Sequence, residues 1–203
     1  MTRPKKSQSH RVEVGDQFPR LKLTTITDES ISLPDGSGVT HLQFRRFAGC
    51  PICNLHLRSI TNRLGDLEAH GIREVVVFHS TLAELRKYEN DLPMAVIADP
   101  ERALYERFGV EASPRALLQP GFWKYFPRVW WNVLRLLRRV VKGRAPFPVK
   151  PTGGQLGLPA DVLVGSDGTG IAVKYGEHAF DQWSVDEILG HAAVTATSAS
   201  RVS

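Results

Sequence analysis

The chain contains two cysteines, and they stand as Cys50-Pro51-Ile52-Cys53. Thiols at this spacing can exchange electrons as a dithiol/disulfide pair, supply half of a zinc site, or fill core volume. Zinc normally takes four ligands. His56 is near, but no second Cys/His pair at ligand spacing follows. Redox use is therefore the expectation. The nucleophile should be Cys50, because unpaired N–H groups and the helix dipole at a helix start stabilise a thiolate. Cys53, one turn further on, is placed to resolve a mixed disulfide and begins the buried face, so it should be the less accessible thiol. Arg45 and Arg46 precede the motif and alternate across a strand, so one of them should face the thiols.

The elements that must hold this motif are legible. Residues 40–47 read as a strand running directly into it. Beyond it, Cys53, Leu57, Ile60, Leu64 and Leu67 recur at helical steps, with Arg58, Asn62 and Arg63 off that face and Gly71 as the stop. Upstream, residues 21–26 and 31–33 read as short strands about a turn at Asp28-Glu29. Val75-Val76-Val77-Phe78 is a continuous apolar run suited to a buried strand. Thr81-Leu82-Ala83-Glu84 fits a capping box, and residues 94–98 form another apolar run. Asp99-Pro100 reads as an N-cap with proline at the first helical position, for a helix over 100–108 stopped by Gly109. Residues 161–164 and 171–175 read as strands about Ser166-Asp167-Gly168, and Ser184 caps a last helix through Ala193. Alternating strands and helices of this length predict an α/β sheet.

Bulk properties narrow the class. The chain has 203 residues, 42% of them hydrophobic, which suits one domain with an ordinary core. The net charge of +5 is unevenly spread: residues 121–150 carry +8 with no Asp or Glu, leaving −3 for the rest. General nucleic-acid binding is not expected from such a distribution. The first residues lack an apolar h-region, no window reaches the length of a membrane span, and a cytoplasmic, reducing setting is expected. Residues 1–11 read as a disordered arm, 12–194 as the domain, 119–154 as an insertion and 195–203 as a disordered tail. Within the insertion a helix should open at Pro127. Val129, Val133, Leu136, Leu137 and Val140 would lie on one side, and Arg128, Arg135, Arg138, Arg139 and Lys142 on the other.

Several motifs carry a family resemblance. Gly15-Asp16-Gln17-Phe18-Pro19-Arg20-Leu21 resembles the N-terminal signature of the alkyl hydroperoxide reductase/thiol-specific antioxidant group. Residues 44–53, Phe-Arg-Arg-Phe-Ala-Gly-Cys-Pro-Ile-Cys, followed by Leu55-His56-Leu57, resemble its peroxiredoxin-like branch bearing a CxxC. Residues 98–105 and 157–164 are further matches, and the resemblance extends over residues 15–193. It implies a thioredoxin-like α/β fold, with a central mixed sheet flanked by helices and the basic aromatic segment as an insertion. It also marks Pro159 as the proline that such folds place, in cis, beside the dithiol and just before a central strand. One departure stands out. The family's Pro-x-x-x-Thr-x-x-Cys run has Gln43 and Phe47 at its proline and threonine positions here, so the hydroxyl that would orient a peroxide is missing.

The function expected is that of an antioxidant oxidoreductase in which Cys50 and Cys53 reduce disulfides or peroxides. It would draw on a thiol donor such as thioredoxin or glutathione and need no cofactor or metal. Pro159, Arg45 and Arg46 are the candidate substrate-positioning residues. His56 and His79 could exchange protons near neutrality, though structural roles suit them better, neither having a partner defined in the sequence. The competing expectation is a non-catalytic adaptor on the same fold, docking a protein or an anionic membrane surface through residues 122–142, where Trp130 and Trp131 sit among the basic residues.

Overall fold

The run Val75-Val76-Val77-Phe78 forms the heart of an interior strand in the computed structural model, which describes residues 11–110 and 157–199 and, between them, residues 130, 131, 134, 138 and 141. The chain begins with a hairpin, β1 (Leu21–Thr24) and β2 (Ser30–Leu33). There follow β3 (Val39–Arg45), helix α1 (Pro51–Asn62), α2 (Leu64–Ala69), β4 (Ile72–Phe78), α3 (Leu82–Tyr88), β5 (Ala95–Ala98) and α4 (Ala103–Arg107). After the basic segment come β6 (Ala160–Val164), β7 (Gly170–Tyr175) and α5 (Val185–Ala199). The five-stranded sheet has the order β5-β4-β3-β6-β7. Strands β3, β4 and β5 run parallel, and β6 and β7 are antiparallel to their neighbours.

The period of two in β4 explains the layering. Val75 and Val77 face a core shared with the hairpin (Ile31, Leu33), Tyr105 of α4 and Phe108 just beyond it. Val76 and Phe78 face the opposite core, built with Ile52, Cys53 and Leu57 of α1 and Leu85 of α3. A third cluster joins Leu163 of β6 to Ile60, Leu67 and Ile188. Both faces of the sheet are covered, so β4 is apolar from Val75 to Phe78.

Strand β3 departs from this scheme. Leu42 and Phe44 point into the first core, but His41, Gln43 and Arg45 alternate with them toward α1, all 0% exposed. They join a buried polar network. Arg45 Nη2 lies 2.6 Å from Asp161 Oδ1 on β6 and also donates to Gln43 Oε1 at 2.6 Å and His56 Nε2 at 3.0 Å. His41 Nδ1 lies 2.9 Å from Glu74 Oε2, and its Nε2 lies 3.3 Å from Asp161 Oδ1. Gln43 donates to Glu74, and the Trp183 N–H donates to Asp161 Oδ2 at 3.2 Å. The network thus fastens β4, β3, β6, α1 and the entry to α5 to one another.

Several boundaries differ from those the pattern predicts. The helix after the dithiol breaks at Arg63 (φ −122, ψ 20), whose guanidinium is drawn to Asp66 and to Asp186 at the start of α5. Asp99 does cap a helix, accepting from the N–H groups of Ala103 and Leu104 at 2.9 and 2.8 Å. That helix starts at Ala103, not Pro100, because Arg102 takes the left-handed conformation (φ 60) and resets the chain. The last helix runs on to Ala199 through residues that include no breaker, so the tail expected from 195 is helical in its first part. Trp130, Trp131, Leu134, Arg138 and Val141 are helical as expected; the rest of the 119–154 insertion and most of the terminal arms lie outside the described residues. Among the described residues no helix is long and apolar enough to cross a membrane.

The buried network has a measurable signature. Burial works against a charged His41, but the Glu74 charge and the Asp161 contact outweigh it and raise its pKa from 6.5 to about 9. Its stabilisation is complete below the unfolded value and is lost as pH rises through about 9. Urea midpoints between pH 6 and pH 10 should therefore fall on the alkaline side, and His41→Gln should flatten that fall while lowering stability at neutral pH. Asp161→Ala, which strands Arg45 without its counter-charge, should cost about 3–5 kcal/mol.

Candidate active site

The polypeptide leaves β3 at Arg45 and turns through Arg46-Phe47-Ala48-Gly49 into α1. The turn is gripped by α3 and its flanks. The Ala48 N–H donates to Ser80 Oγ at 3.0 Å and the Gly49 N–H to Glu89 Oε1 at 2.7 Å. Gly49 has φ +73, and a Cβ there would meet the Tyr88 ring at 3.2 Å, so glycine is required for both conformation and space. Cys50 follows as the N-cap of α1, extended (φ −62, ψ 116), with Pro51 at the first helical position. Its sulfur accepts the Cys53 N–H at 3.4 Å, the position in which a thiolate would use the free amides of the first turn.

The two thiols are polarised in opposite directions. Burial raises both. For Cys50 that effect is overcome by hydrogen bonding from Cys53, the positive charge of Arg46 and the amides of Cys53 and Ile52, which bring its pKa down to about 6. For Cys53 burial is reinforced by the Cys50 sulfur, and its pKa stands well above the ordinary thiol value. A contrast in access was expected from the sequence and does not exist: Cys50 is 1% exposed and Cys53 2%. Cys50 is enclosed in an apolar cluster that includes Phe47, Ala48, Ala179 and Phe180, so electrostatics and not exposure separates the pair.

Of the two arginines, Arg46 is the one that acts on the thiols. Its charge lowers both, and its guanidinium lies 5.4 Å from the centre of the Phe47 ring. Arg45 points the other way, into the Asp161 network, and its role is structural. Pro159 is reached as expected just before β6, but its peptide bond with Leu158 is trans; the cis bond among the described residues is Leu33–Pro34. Pro159 is held by other means: its carbonyl accepts the Gly176 N–H at 2.9 Å, and its ring fills the space a Cβ on Gly176 would need. The trans form, favoured for most X–Pro bonds, meets these contacts. The segment before it still reaches the site, since a Cβ on Gly157 would lie 3.3 Å from His79 Nε2 and 3.8 Å from Arg46 Cγ.

Neither histidine titrates near neutrality. His56 is lowered to about 3 by burial and by Arg45, and His79 to about 4 by burial with Arg102 and Arg46. His56 Nε2 accepts from Arg45 and is thereby turned from the thiols. His79 is 1% exposed and packs edge-on to Tyr105. One acid passed unnoticed in the sequence. Glu89, only 3% exposed, reaches back from the end of α3 to the turn before Cys50. A lone glutamate at a helix end reads as solvated, and only the packing of α3 on the turn reveals it.

The sequence profile of the family described as AhpC/TSA antioxidant enzyme matches residues 59–178, more than half of the chain, beginning beyond Cys53. Similar solved structures include peroxidoxin BcpB from Mycobacterium tuberculosis (TM-score 0.62, 14% identity, covering 91% of this chain and 98% of that one). A cysteine-to-serine mutant of peroxiredoxin 6 of Arenicola marina gives a TM-score of 0.64 at 16% identity, covering 93% and 75%. The reduced 2-Cys peroxiredoxin of Plasmodium vivax gives 0.63 at 12%, covering 92% and 98%. No curated protein matches the chain.

Alkylation should separate the thiols. Cys50 should react with iodoacetamide half-maximally near pH 6, while Cys53 stays unreacted through neutrality. Arg46→Met should move the Cys50 midpoint upward, as read from the pH dependence of the alkylation rate. Arg45→Met should leave it in place in whatever fraction remains folded.

Proposed function

The chain belongs to the AhpC/TSA antioxidant enzyme family, and from that premise we propose that its thiol-dependent reduction of peroxides runs on the Cys50–Cys53 couple. The observation that carries this reading is the placement of two buried thiols one helical turn apart, the Cys50 sulfur capping α1 and accepting the Cys53 N–H at 3.4 Å, a setting that lowers the Cys50 pKa to about 6 and raises that of Cys53.

The steps follow from those charge states. The Cys50 thiolate attacks one peroxide oxygen. The O–O bond breaks, the sulfur becomes a sulfenic acid, and the leaving oxygen takes a proton to give alcohol or water. The Cys53 sulfur then attacks the Cys50 sulfur, the S–O bond breaks, and hydroxide departs with the Cys53 proton as water. A thiol reductant such as thioredoxin or glutathione supplies two electrons and two protons to restore the pair. Disulfides are substrates of the same couple by exchange. Arg46 stabilises the thiolate, and the segment around Gly157 and Pro159 lines the approach. We place this chemistry in a reducing, cytoplasmic setting, where a thiol donor is at hand.

The missing hydroxyl lowers the expected rate on peroxide. Gln43 is consumed by the buried network and Phe47 lies against Arg46, so neither replaces it. The adaptor reading is not favoured, because docking gains nothing from a thiol poised near pH 6.

Turnover with a panel of peroxides and disulfides tests the proposal. Cys50→Ser should abolish it. Cys53→Ser should leave one oxidation and accumulate a Cys50 sulfenic acid or mixed disulfide visible by mass spectrometry. The second-order rate with hydrogen peroxide should fall well below the diffusional ceiling of roughly 10⁸–10⁹ M⁻¹s⁻¹. Full activity in Cys50→Ser would overturn the assignment.

A further inference from the structure

Glu89 is a buried acid that the steps above do not use. Its Oε1 takes the Gly49 N–H at 2.7 Å, one residue before the nucleophile, and the residue is 3% exposed. Among the described residues no cation pairs with it. Its helix neighbours are engaged elsewhere: Arg86 bonds the Ile26 carbonyl and Asp28, and Lys87 lies over the Tyr88 ring. The charge that acts on it is that of Cys50. A buried carboxylate bonded to the residue next to a buried thiolate cannot cheaply be ionised together with it.

We infer that Glu89 is a positioning residue that couples the redox state of the Cys50–Cys53 pair to a proton: the carboxyl is protonated while Cys50 is a thiolate and gives that proton up when the sulfur loses its charge. The inference rests on the reading of these cysteines as the redox couple. Its direction agrees with the titration of the group. Burial first, and the Cys50 charge with it, raise the Glu89 pKa to about 7 against the lowering effect of the Gly49 N–H.

The balance closes at each step. Oxidation by peroxide takes Cys50 thiolate, protonated Glu89 and ROOH to sulfenic acid, Glu89 carboxylate and ROH, the proton passing through solvent to the leaving alkoxide. Resolution by Cys53 releases water and leaves the carboxylate facing a neutral disulfide. Reduction by a dithiol donor then returns one proton to Cys53 and one to Glu89, with Cys50 again a thiolate. One more proton therefore moves per disulfide than the two sulfurs account for.

The test uses Glu89→Gln, which keeps an oxygen to accept the Gly49 N–H and removes the titration. The Cys50–Cys53 midpoint potential is measured against a dithiol buffer across the pH range just below 7. The wild type should depend on pH more steeply than Glu89→Gln, by up to one proton per disulfide. Equal slopes would overturn the inference while leaving the couple intact; absence of any Cys50–Cys53 disulfide by mass spectrometry would remove both. A second reading needs no variant. The infrared difference spectrum of the wild type should show a protonated-carboxyl band in the reduced form that disappears on oxidation. A spectrum without such a band would equally overturn the coupling.

Discussion

The Arg45–Asp161 ion pair is the contact on which the arrangement of this molecule turns. Both side chains are 0% exposed and meet at 2.6 Å. Taking two charges out of water costs several kcal/mol per ion, and that cost is offset only when every remaining donor and acceptor finds a partner. Here they largely do. Asp161 also receives the Trp183 N–H and the His41 contact, and Arg45 also donates to Gln43 and His56. The partners span several elements, so satisfying the pair fixes β6 against β3, β3 against β4 through His41 and Glu74, and α1 above them through His56. Apolar clusters lie on either side of the network, with Val76, Phe78 and Leu57 in one and Leu163, Ile60 and Ile188 in the other. An apolar contact would tolerate small slides of α1 on the sheet. A directional, fully buried ion network tolerates far fewer, and Cys50 caps the helix it holds.

At the other end of α1 the constraint is electrostatic. The Cys50 sulfur sits in an apolar enclosure that by itself would keep it protonated. Three nearby features reverse that: the amides of the first turn, the Cys53 group and the Arg46 charge. The same enclosure keeps Cys53 protonated, because a second negative charge beside the first is doubly penalised. One apolar setting thus yields two thiols of opposite character. The turn that presents them is fixed from α3 through Ser80, Tyr88 and Glu89.

Membership in an antioxidant enzyme family and a fold shared with peroxiredoxin structures at 12–16% identity leave room for the site to differ in detail. It does. The position that would carry an orienting hydroxyl holds Phe47, whose ring is a platform for Arg46. Gln43 belongs to the ion network. What the site lacks in hydroxyl chemistry it replaces with a guanidinium and with burial, a combination that favours a stable thiolate more than a precisely oriented peroxide.

The sequence by itself determined the strand-turn-helix presentation of the CxxC, the apolar interior strand, the capping box of α3 and the turn before β7. Each of these depends on residues adjacent in the chain: an alternating or continuous apolar pattern, a cap three residues from its partner, a glycine where φ is positive. It also determined that either Arg45 or Arg46 would serve the thiols, but not which, since a one-residue difference only becomes a difference of face once the strand has neighbours. Tertiary structure decided that Arg45 meets Asp161, 116 residues away, and that the Arg46 charge acts on the two thiols. It decided that α1 breaks at Arg63, where Asp186 draws the side chain, and that Pro159 stays trans. It decided, too, that Cys50 is as buried as Cys53 and that Glu89 faces the turn before it. All of these depend on the energy of charges and thiols removed from water, and burial is set by what packs on top of a residue, which no local pattern records.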